Sequence, residues 1–466
     1  MKKLTGVLLL FAVVHCTMAQ TIPQKLAAAV QQFNKDPQMR HAIMSICVAD
    51  AKTGKRVYAY NEQIGLAPAS TQKLFTSAAA LDMLGSNYRY KTELMYSGQL
   101  ENGILSGCIF IKGSCDPTLG SWRYTGTKEE LVLDQWVKAI QNKNIKGIRG
   151  LVMGYQQSVW DAEQIPDGWI WQDIGNYYGA GADVLNWREN QYDLILRAGN
   201  KMYDSVTIWA TKPVLYNIKL YNKVTTGPPK SGDNAYIYLP PGAEYGHIRG
   251  TIPLGEKEFI ISGSFPNPTK QLAAQLEEEL KKKNIVVDND LNKVVYNETF
   301  HNPVVLATHY SPTLDSMVFW FLRRSINLYG EAFIKTMAAQ ETDSASTDKG
   351  TELVRGFCEA NGIDKASVNI VDGSGLSPLN RVTTDAEVKI LQYAKRRPWY
   401  KSFYNALPEY NGMKMKSGSI NGARAYAGYH TSKAGQEYIF SIIVNNYDGS
   451  SGEAVKKLYK VLDVLK

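Results

Sequence analysis

The patterning of the chain divides it into two helix-containing ends and a long middle part built from short strand-like runs. Apolar residues recur at helical spacing after Ser70 and again from about Asn302. From about Tyr88 to Phe300, short alternating runs predominate, and Gly, Pro and Asn separate them. Because the apolar period is the main local signal of helix or strand, this order predicts a multidomain α+β protein in which a β-rich segment lies between two helix-containing parts.

Both ends of the chain also carry strand runs. They cover residues 42–48, 56–60, 413–419, 424–431 and 438–444. A last amphipathic helix follows them, with Ser450 and Glu453 at capping-box spacing. These runs predict an antiparallel sheet flanked by N- and C-terminal helices. The length of 466 residues corresponds to roughly two to four domains.

The N-terminus has the pattern of an export signal. Met1-Lys2-Lys3 is basic, 4–14 is apolar but short for a membrane span, and Thr17-Met18-Ala19 offers small residues for cleavage. We therefore expect residues 1–19 to be a signal peptide and the mature protein to be periplasmic or otherwise extracytoplasmic. The net charge of +8 is scattered, and its longest basic run is 281–283. Nucleic acid is therefore not an expected partner, whereas peripheral association with an anionic membrane stays open.

The cysteines and histidines give no sign of a metal site. The mature chain would keep Cys47, Cys108, Cys115 and Cys358. Cys108 and Cys115 are close enough in sequence to bridge a turn, and an ordinary buried thiol is an equally good interpretation of each. No CxxC pair or His/Cys cluster has metal-ligand spacing. Neither a metal nor a cofactor is expected.

The first chemically suggestive motif is Ser70-Thr71-Gln72-Lys73. At the start of a helix, residues three apart share one face, so the Lys73 amine can reach the Ser70 hydroxyl. A serine needs a base to become a nucleophile, and a lysine can be that base if burial lowers its pKa. The motif predicts Ser70 as nucleophile and Lys73 as its base, although a capping serine beside a surface lysine would give the same four residues.

The second motif is Ser325-Ile326-Asn327, which follows a predicted helix ending in two arginines. On a turn, the hydroxyl and the amide can both face a cleft. The hydroxyl could pass a proton to a leaving amine, and the amide could orient a substrate carbonyl. Ser367-Val368-Asn369 has the same spacing. Its apolar, strand-like context makes it the less favoured choice.

The third motif is Lys416-Ser417-Gly418-Ser419, within the strand run 413–419. The lysine and the hydroxyls can bind a substrate carboxylate, and Gly418 lets a backbone approach closely. The amide groups of Ser419 and Ser70 could form an oxyanion hole. Two similar triplets, Lys52-Thr53-Gly54 and Lys230-Ser231-Gly232, lie in predicted loops and are not expected to serve this role.

The three motifs, in this order, resemble the signature of penicillin-binding proteins and serine β-lactamases. The chain is identified as resembling the low-molecular-mass class C penicillin-binding proteins, the D-alanyl-D-alanine carboxypeptidase/endopeptidase family. Further similar segments are 116–119, 177–180, Glu331, 372–377 and 380–383. The chain departs from the family pattern at Ile326, at Ser417 and at Gly113-Ser114-Cys115.

The resemblance implies an architecture. Residues 20–86 and 301–466 would form a split transpeptidase-like domain with an antiparallel sheet flanked by helices. A β-rich insertion of two nested domains would separate the halves, with residues 87–112 and 200–300 forming one domain and 113–199 the domain nested within it.

The resemblance also implies an activity. Ser70 would form an acyl-enzyme with the D-Ala-D-Ala end of a peptidoglycan stem peptide, and β-lactams would acylate the same serine. The other groups would be Lys73, Ser325, Asn327 and Lys416 in catalysis, and Ser417, Gly418 and Ser419 in substrate binding. The alternatives are a β-lactamase or D-aminopeptidase/esterase on the same fold, and a non-catalytic protein that binds the cell wall.

Overall fold

The computed structural model describes residues 20–156, 163–288, 295–296, 300–342 and 344–466. The expected signal peptide, residues 1–19, lies outside the described residues. In the described N-terminal part, the elements are α1 (Ile22–Asn34), β1 (Ile43–Asp50), β2 (Arg56–Tyr60) and α2 (Lys73–Met83). The apolar residues of α1 fall at helical spacing, and Leu26, Val30 and Phe33 are its buried side chains.

The middle part of the chain contains most of the strands. Its elements are β3 (Lys91–Glu101), β4 (Ile104–Lys112), α3 (Glu129–Asn142), β5 (Gly147–Arg149), β6 (Val152–Gln156), α4 (Trp171–Ile174), β7 (Gln191–Arg197), β8 (Thr207–Lys212), β9 (Lys219–Gly227), β10 (Asn234–Tyr238), β11 (Tyr245–Pro253), β12 (Phe259–Ser264), α5 (Pro268–Lys282), β13 (Val286–Val287), β14 (Val295–Tyr296) and β15 (Val304–Tyr310).

The C-terminal part returns to helices and closes with strands. Its elements are α6 (Leu314–Arg324), α7 (Asn327–Glu341), α8 (Thr347–Ala360), β16 (Val368–Asn369), β17 (Arg381–Val382), α9 (Thr384–Lys395), α10 (Tyr400–Ala406), β18 (Glu409–Tyr410), β19 (Met413–Ile420), β20 (Ala423–Thr431), β21 (Glu437–Asn445) and α11 (Ser451–Leu462).

One antiparallel sheet joins the two ends of the chain. Its order is β18-β19-β20-β21-β1-β2, so the N-terminal hairpin pairs directly with the last strand. One core, which includes Phe75, Phe321 and Phe333, lies between this sheet and α2, α6, α7, α8 and α9. A second core on the other face holds apolar side chains of α1 and α11. The predicted α+β class, with a helix-flanked antiparallel sheet, is confirmed.

The described strands of the middle part form three sheets. β4 pairs in parallel with both β5 and β6. Two separate sheets, β12-β7-β8 and β10-β11-β9, lie within 191–264. β15 pairs with β3, the first strand of the middle part. Parallel pairing across the α3 crossover leaves no local pattern in the sequence.

Candidate active site

Ser70 lies on a tight turn just before α2. A 3₁₀-helix covers Ala69–Gln72, and Ala69 adopts the left-handed φ of 48°. Residues three apart eclipse each other in a 3₁₀-helix. This geometry places the Lys73 Nζ 3.0 Å from the Ser70 Oγ, to which it donates a hydrogen bond. The predicted serine–lysine contact is therefore present in the structure.

Lys73 is completely buried and is held by three oxygen atoms. Besides the Ser70 hydroxyl, its Nζ donates to Asn327 Oδ1 at 2.7 Å and to the Ser374 carbonyl at 2.6 Å. Burial lowers the pKa of Lys73 from 10.5 to about 7, and the nearby carboxyl groups of Asp372 and Glu331 oppose this shift. An amine with this pKa is partly neutral near pH 7, as a general base must be.

The second motif forms the junction between α6 and α7. Ser325 is the residue after α6 and has a left-handed φ of 59°, which turns the chain before Asn327 begins α7. Asn327 donates from its Nδ2 to the Tyr178 carbonyl at 2.7 Å, while its Oδ1 accepts from Lys73. The amide orientation is therefore fixed from two sides, one of them in the insertion.

A turn at 372–377 packs against the turn that carries Ser70. The buried Asp372 carboxylate accepts hydrogen bonds from the Gly375 and Ser377 amides, both at 2.7 Å, and from the Trp169 indole at 2.9 Å. Gly375 has a φ of +80°, and a Cβ there would lie only 2.0 Å from the Ala69 carbonyl oxygen. A glycine is required for this close approach.

Glu331 is a buried acid one turn along α7 from Asn327. Its Oε2 accepts from the Gly373 amide at 2.9 Å. Burial, followed by the nearby Asp372, raises the pKa of Glu331 from 4.5 to about 8, and Lys73 acts in the opposite direction. The titrations of Glu331 and Lys73 are therefore coupled.

The third motif lies on β19, against the Ser70 turn. A Cβ on Gly418 would lie 2.2 Å from the Pro68 carbonyl oxygen and 3.2 Å from the Ser70 nitrogen. Lys416 is buried, and its Nζ donates to the Ser417 carbonyl at 2.7 Å. Burial, and then the nearby Lys73, lower the pKa of Lys416 well below its usual value.

A cavity of about 910 Å³ opens in front of these groups. The predicted residues that line it are Ser70, Ser325, Asn327 and Ser419. Lys73, Lys416 and Gly418 lie buried behind the lining, and Ser417 is half-buried. The remaining walls include residues of the insertion and three arginines, namely Ile170, Gln172, Asp173, Tyr177, Tyr178, Gln191, Tyr236, Arg123, Arg324 and Arg424.

The look-alike motifs lie away from this cavity. Lys52-Thr53-Gly54 forms the exposed turn between β1 and β2, and Lys230 lies in the loop between β9 and β10. Ser367 precedes β16, where Asn369 is exposed. None of these residues lines the cavity. The strand and helix context therefore distinguishes the motifs at the cavity from the repeated triplets elsewhere.

Sequence reasoning missed several groups around the site. Trp169 and Tyr178 come from the insertion, and Gln72 donates to the Asp372 carbonyl at 2.6 Å. The Ser374 carbonyl, a Lys73 partner, is a backbone atom without a side-chain signal. The family-like segment 372–377 was the sequence signal that could have pointed to this turn, because it is polar and rich in glycine and loop residues of this kind often carry function.

In the part of the chain that the structure describes, no cluster of His, Cys, Asp and Glu could hold a metal ion, and no disulfide joins Cys108 to Cys115. Burial raises the pKa of the Cys115 thiol to about 12. No helix among the described residues is both long and apolar enough to cross a bilayer.

The fold and the site define a class: a serine hydrolase of the penicillin-binding type, with a helix-flanked antiparallel sheet and a serine hydrogen-bonded to a buried lysine. The structure is similar to a crystal structure of penicillin binding protein 4 (dacB) from Haemophilus influenzae, with a TM-score of 0.77 and 20% identity, over 94% of this chain and 98% of that one. A structure of that protein complexed with a β-lactam has a TM-score of 0.72 at 19% identity, over 95% and 99%.

The comparison of sequences gives the particular family. A model of the D-Ala-D-Ala carboxypeptidase 3 (S13) family matches residues 26–409. A D-alanyl-D-alanine carboxypeptidase of Actinomadura sp. (strain R39) is 26% identical over 93% of this chain and 83% of its own length. The enzyme DacB of Haemophilus influenzae is 24% identical over 85% and 84%. The chain belongs to the S13 family and is a serine-type D-Ala-D-Ala carboxypeptidase. The predicted family is confirmed.

Proposed function

We propose that this enzyme removes the terminal D-Ala of peptidoglycan stem peptides through an acyl-enzyme on Ser70. The hydrogen bond of 3.0 Å between Ser70 Oγ and the amine of Lys73, whose pKa is lowered to about 7, carries this proposal. Ser70 attacks the carbonyl of the penultimate D-Ala while its proton passes to Lys73. The bond to the terminal D-Ala then breaks, and that residue leaves as an amine.

The second motif would serve proton transfer and orientation. Ser325 lines the cavity beside Ser70, where its hydroxyl can relay a proton from Lys73 to the departing amine. Asn327 contacts Lys73 and the insertion at once, so it can hold the base and position the peptide. Water then attacks the acyl carbonyl while Lys73 accepts its proton, and as the bond to the Ser70 oxygen breaks, Lys73 returns that proton to the serine and the shortened peptide leaves as an acid.

The third motif would bind the end of the substrate. Lys416, Ser417 and Ser419 would hold the terminal carboxylate, while Gly418 keeps β19 close to Ser70. An incoming carboxylate would favour the charged form of Lys416 and raise its lowered pKa. The amides of Ser70 and Ser419 would stabilise the tetrahedral oxyanion.

The proposal also covers acylation by β-lactams, the compartment in which the enzyme acts, and endopeptidase cleavage. β-Lactams would acylate Ser70, because they present a reactive carbonyl to the same groups. The enzyme would act outside the cytoplasm after removal of residues 1–19, since its substrate is there. A cavity of about 910 Å³ would also admit a cross-linked peptide, and endopeptidase cleavage is therefore part of the proposal.

Labelling with fluorescent penicillin tests the nucleophile. Ser70→Ala should abolish the label, while Ser367→Ala, at the look-alike motif, should label like the wild type. Equal labelling of Ser70→Ala would show that another residue is acylated. Rapid release of hydrolysed penicillin without a lasting adduct would favour a β-lactamase.

Mass spectrometry of muropeptides after digestion tests the substrate. The expected product lacks one D-Ala, and cleaved dimers would report endopeptidase activity. Unchanged muropeptides, together with retention of the protein on cell-wall material, would instead support the non-catalytic alternative.

A further inference from the structure

One sheet of the insertion carries aromatic side chains on its outer face. The sheet has the order β10-β11-β9. We define the aromatic face as Tyr236 and Tyr238 on β10, Tyr245 and His247 on β11, and Tyr221 on β9. Tyr221 and Tyr245 are 50% and 62% exposed, which is high for side chains of this size. Exposed aromatic groups in a contiguous patch are typical of a binding surface.

Strand register explains why these rings share one face. Tyr238 is paired with His247, which is paired in turn with Tyr221 on the far strand. Side chains alternate between the two faces of a strand. The intervening residues, such as Ile237 and Ile248, are completely buried in the core of the insertion. The outward rings are therefore not needed to fill that core.

The exposed part of the aromatic face is a shallow platform formed by Tyr221 and Tyr245, whereas Tyr238 is buried beneath His247 and Arg249. Tyr238 and His247 stack with centroids 4.9 Å apart and an interplanar angle of 7°. Tyr221 and Tyr245 lie 6.5 Å apart at 19°. Three adjacent strands span roughly 10 Å across the sheet, which is comparable to the length of a short oligosaccharide.

The platform is also positively charged. Lys219, Lys223 and Arg249 lie at outward positions of the same strands, and Arg249 donates to the Tyr238 hydroxyl at 3.0 Å. The three strands contain no Asp or Glu. Guanidinium and ammonium groups bind carboxylates, so the platform is complementary to a polymer that carries carboxylates along its length.

The platform continues into the candidate active site. Tyr236 lines the active-site cavity together with Ser70. The half-exposed Trp171, in α4, lies 5.8 Å from Tyr238 and carries the aromatic surface towards the same opening. A polymer lying on the aromatic face would therefore pass the entrance through which a stem peptide reaches the serine.

We propose that the aromatic face binds a glycan strand of peptidoglycan while one of its stem peptides enters the cavity. The inference rests on the proposed function, because that function supplies the polymer. Sugar rings present flat arrays of C–H groups, which pack on the electron-rich faces of exposed aromatic rings. The three cations would meet the carboxylates of neighbouring stem peptides. A single-stranded nucleic acid also stacks on aromatic rings, but it has no group for the adjoining carboxypeptidase cavity.

The test compares a polymeric substrate with a small one. The double variant Tyr221→Ala/Tyr245→Ala removes two exposed rings that do not line the cavity. Its matched control is Trp209→Ala, which removes a 56% exposed ring from β8 of the other small sheet. Co-sedimentation of the full-length proteins with purified sacculi measures binding. Release of D-Ala from a soluble tripeptide ending in D-Ala-D-Ala measures the catalytic centre.

The double variant should bind sacculi about tenfold more weakly or worse, as expected for two lost stacking contacts. Its rate on the tripeptide should stay within about twofold of the wild type, since the reacting groups are untouched. Glycan chains stripped of their peptides should bind the wild type and not the double variant. Trp209→Ala should behave as wild type in all three measurements.

Equal sedimentation of the wild type and the double variant would overturn the inference, as would an equal loss in Trp209→Ala. Equally strong, ring-dependent binding to single-stranded DNA or to anionic vesicles would also overturn it. A wild type that is inactive on both tripeptide and sacculi would count against the proposed function alone, because the comparison of sacculus binding would still decide whether the face binds glycan.

Discussion

The pH dependence of acylation is the most direct consequence of the buried Lys73. Only the neutral amine can accept the proton of Ser70. Burial lowers the pKa of Lys73 from 10.5 to about 7. We therefore expect the rate of acylation to rise with pH and to reach half of its plateau near pH 7.

The size of the pKa shift determines how much of the enzyme holds Lys73 in its neutral form. A shift from 10.5 to about 7 corresponds to about 5 kcal/mol between the two protonation states. At pH 7, about half of the enzyme would then hold a neutral amine, against roughly one molecule in three thousand for a solvated lysine. Burial of this one side chain therefore increases the fraction of neutral amine at pH 7 about a thousandfold.

The assay is the second-order rate of labelling by a fluorescent penicillin between pH 5 and pH 9. Below the midpoint, the rate should fall about tenfold per pH unit. Glu331→Gln removes a carboxyl group that raises the pKa of Lys73 but is only partly ionised near pH 7, because its own pKa is raised to about 8, so the midpoint of this variant should move slightly to lower pH. Lys73→Arg keeps a cation at every pH in the range and should abolish labelling. Circular dichroism at each pH checks that the protein stays folded.

A flat profile with an intact Ser70 adduct would refute the reasoning, because the base would then not titrate in this range. A midpoint near pH 10 would refute it as well, since Lys73 would behave as a solvated amine. An upward shift in Glu331→Gln would contradict the assigned sign of the coupling.

Three further predictions follow from single contacts. Gly418→Val should slow acylation by about a hundredfold, because a Cβ at this position would lie 2.2 Å from a backbone carbonyl oxygen. The control variant Gly356→Ala should keep the wild-type labelling rate, because a Cβ at that position would have no atom within 4 Å. Burial raises the pKa of Glu387 from 4.5 to about 7. The free energy of unfolding therefore falls as the pH rises from 4.5 through about 7, because the unfolded chain releases this proton first. Glu387→Gln should therefore gain stability over the wild type between pH 5 and pH 9, by about 3 kcal/mol in denaturant melts. Trp169→Phe removes the 2.9 Å hydrogen bond to Asp372 and should lower the free energy of unfolding by about 1–3 kcal/mol; an unchanged melt would contradict this.

The local parts of the site were predictable from the sequence. Ser70 and Lys73 are three residues apart at a helix start, and this spacing alone predicts their contact. The strand predicted over 413–419 is observed as Met413–Ile420. Its two-residue alternation and glycine placement are local signals.

The remaining features depend on contacts that are distant in the sequence. Trp169 meets Asp372 across 203 residues, and no period or motif signals such a pair. The pKa of Lys73 depends on complete burial by α7 and the turn at 372–377. The strand order within the insertion could not be predicted, because the parallel pairing of β4 with β6 spans the intervening α3.

The hydrogen bond from Asn327 to the Tyr178 carbonyl shows that the insertion is part of the reaction chamber rather than an appendage. The proposed reacting groups come from the two ends of the chain, whereas much of the cavity wall comes from residues 170–191 and Tyr236. Because the Tyr178 carbonyl of this wall also holds Asn327, which in turn accepts a hydrogen bond from Lys73, a change in the insertion would alter both the peptides admitted and the position of the amine.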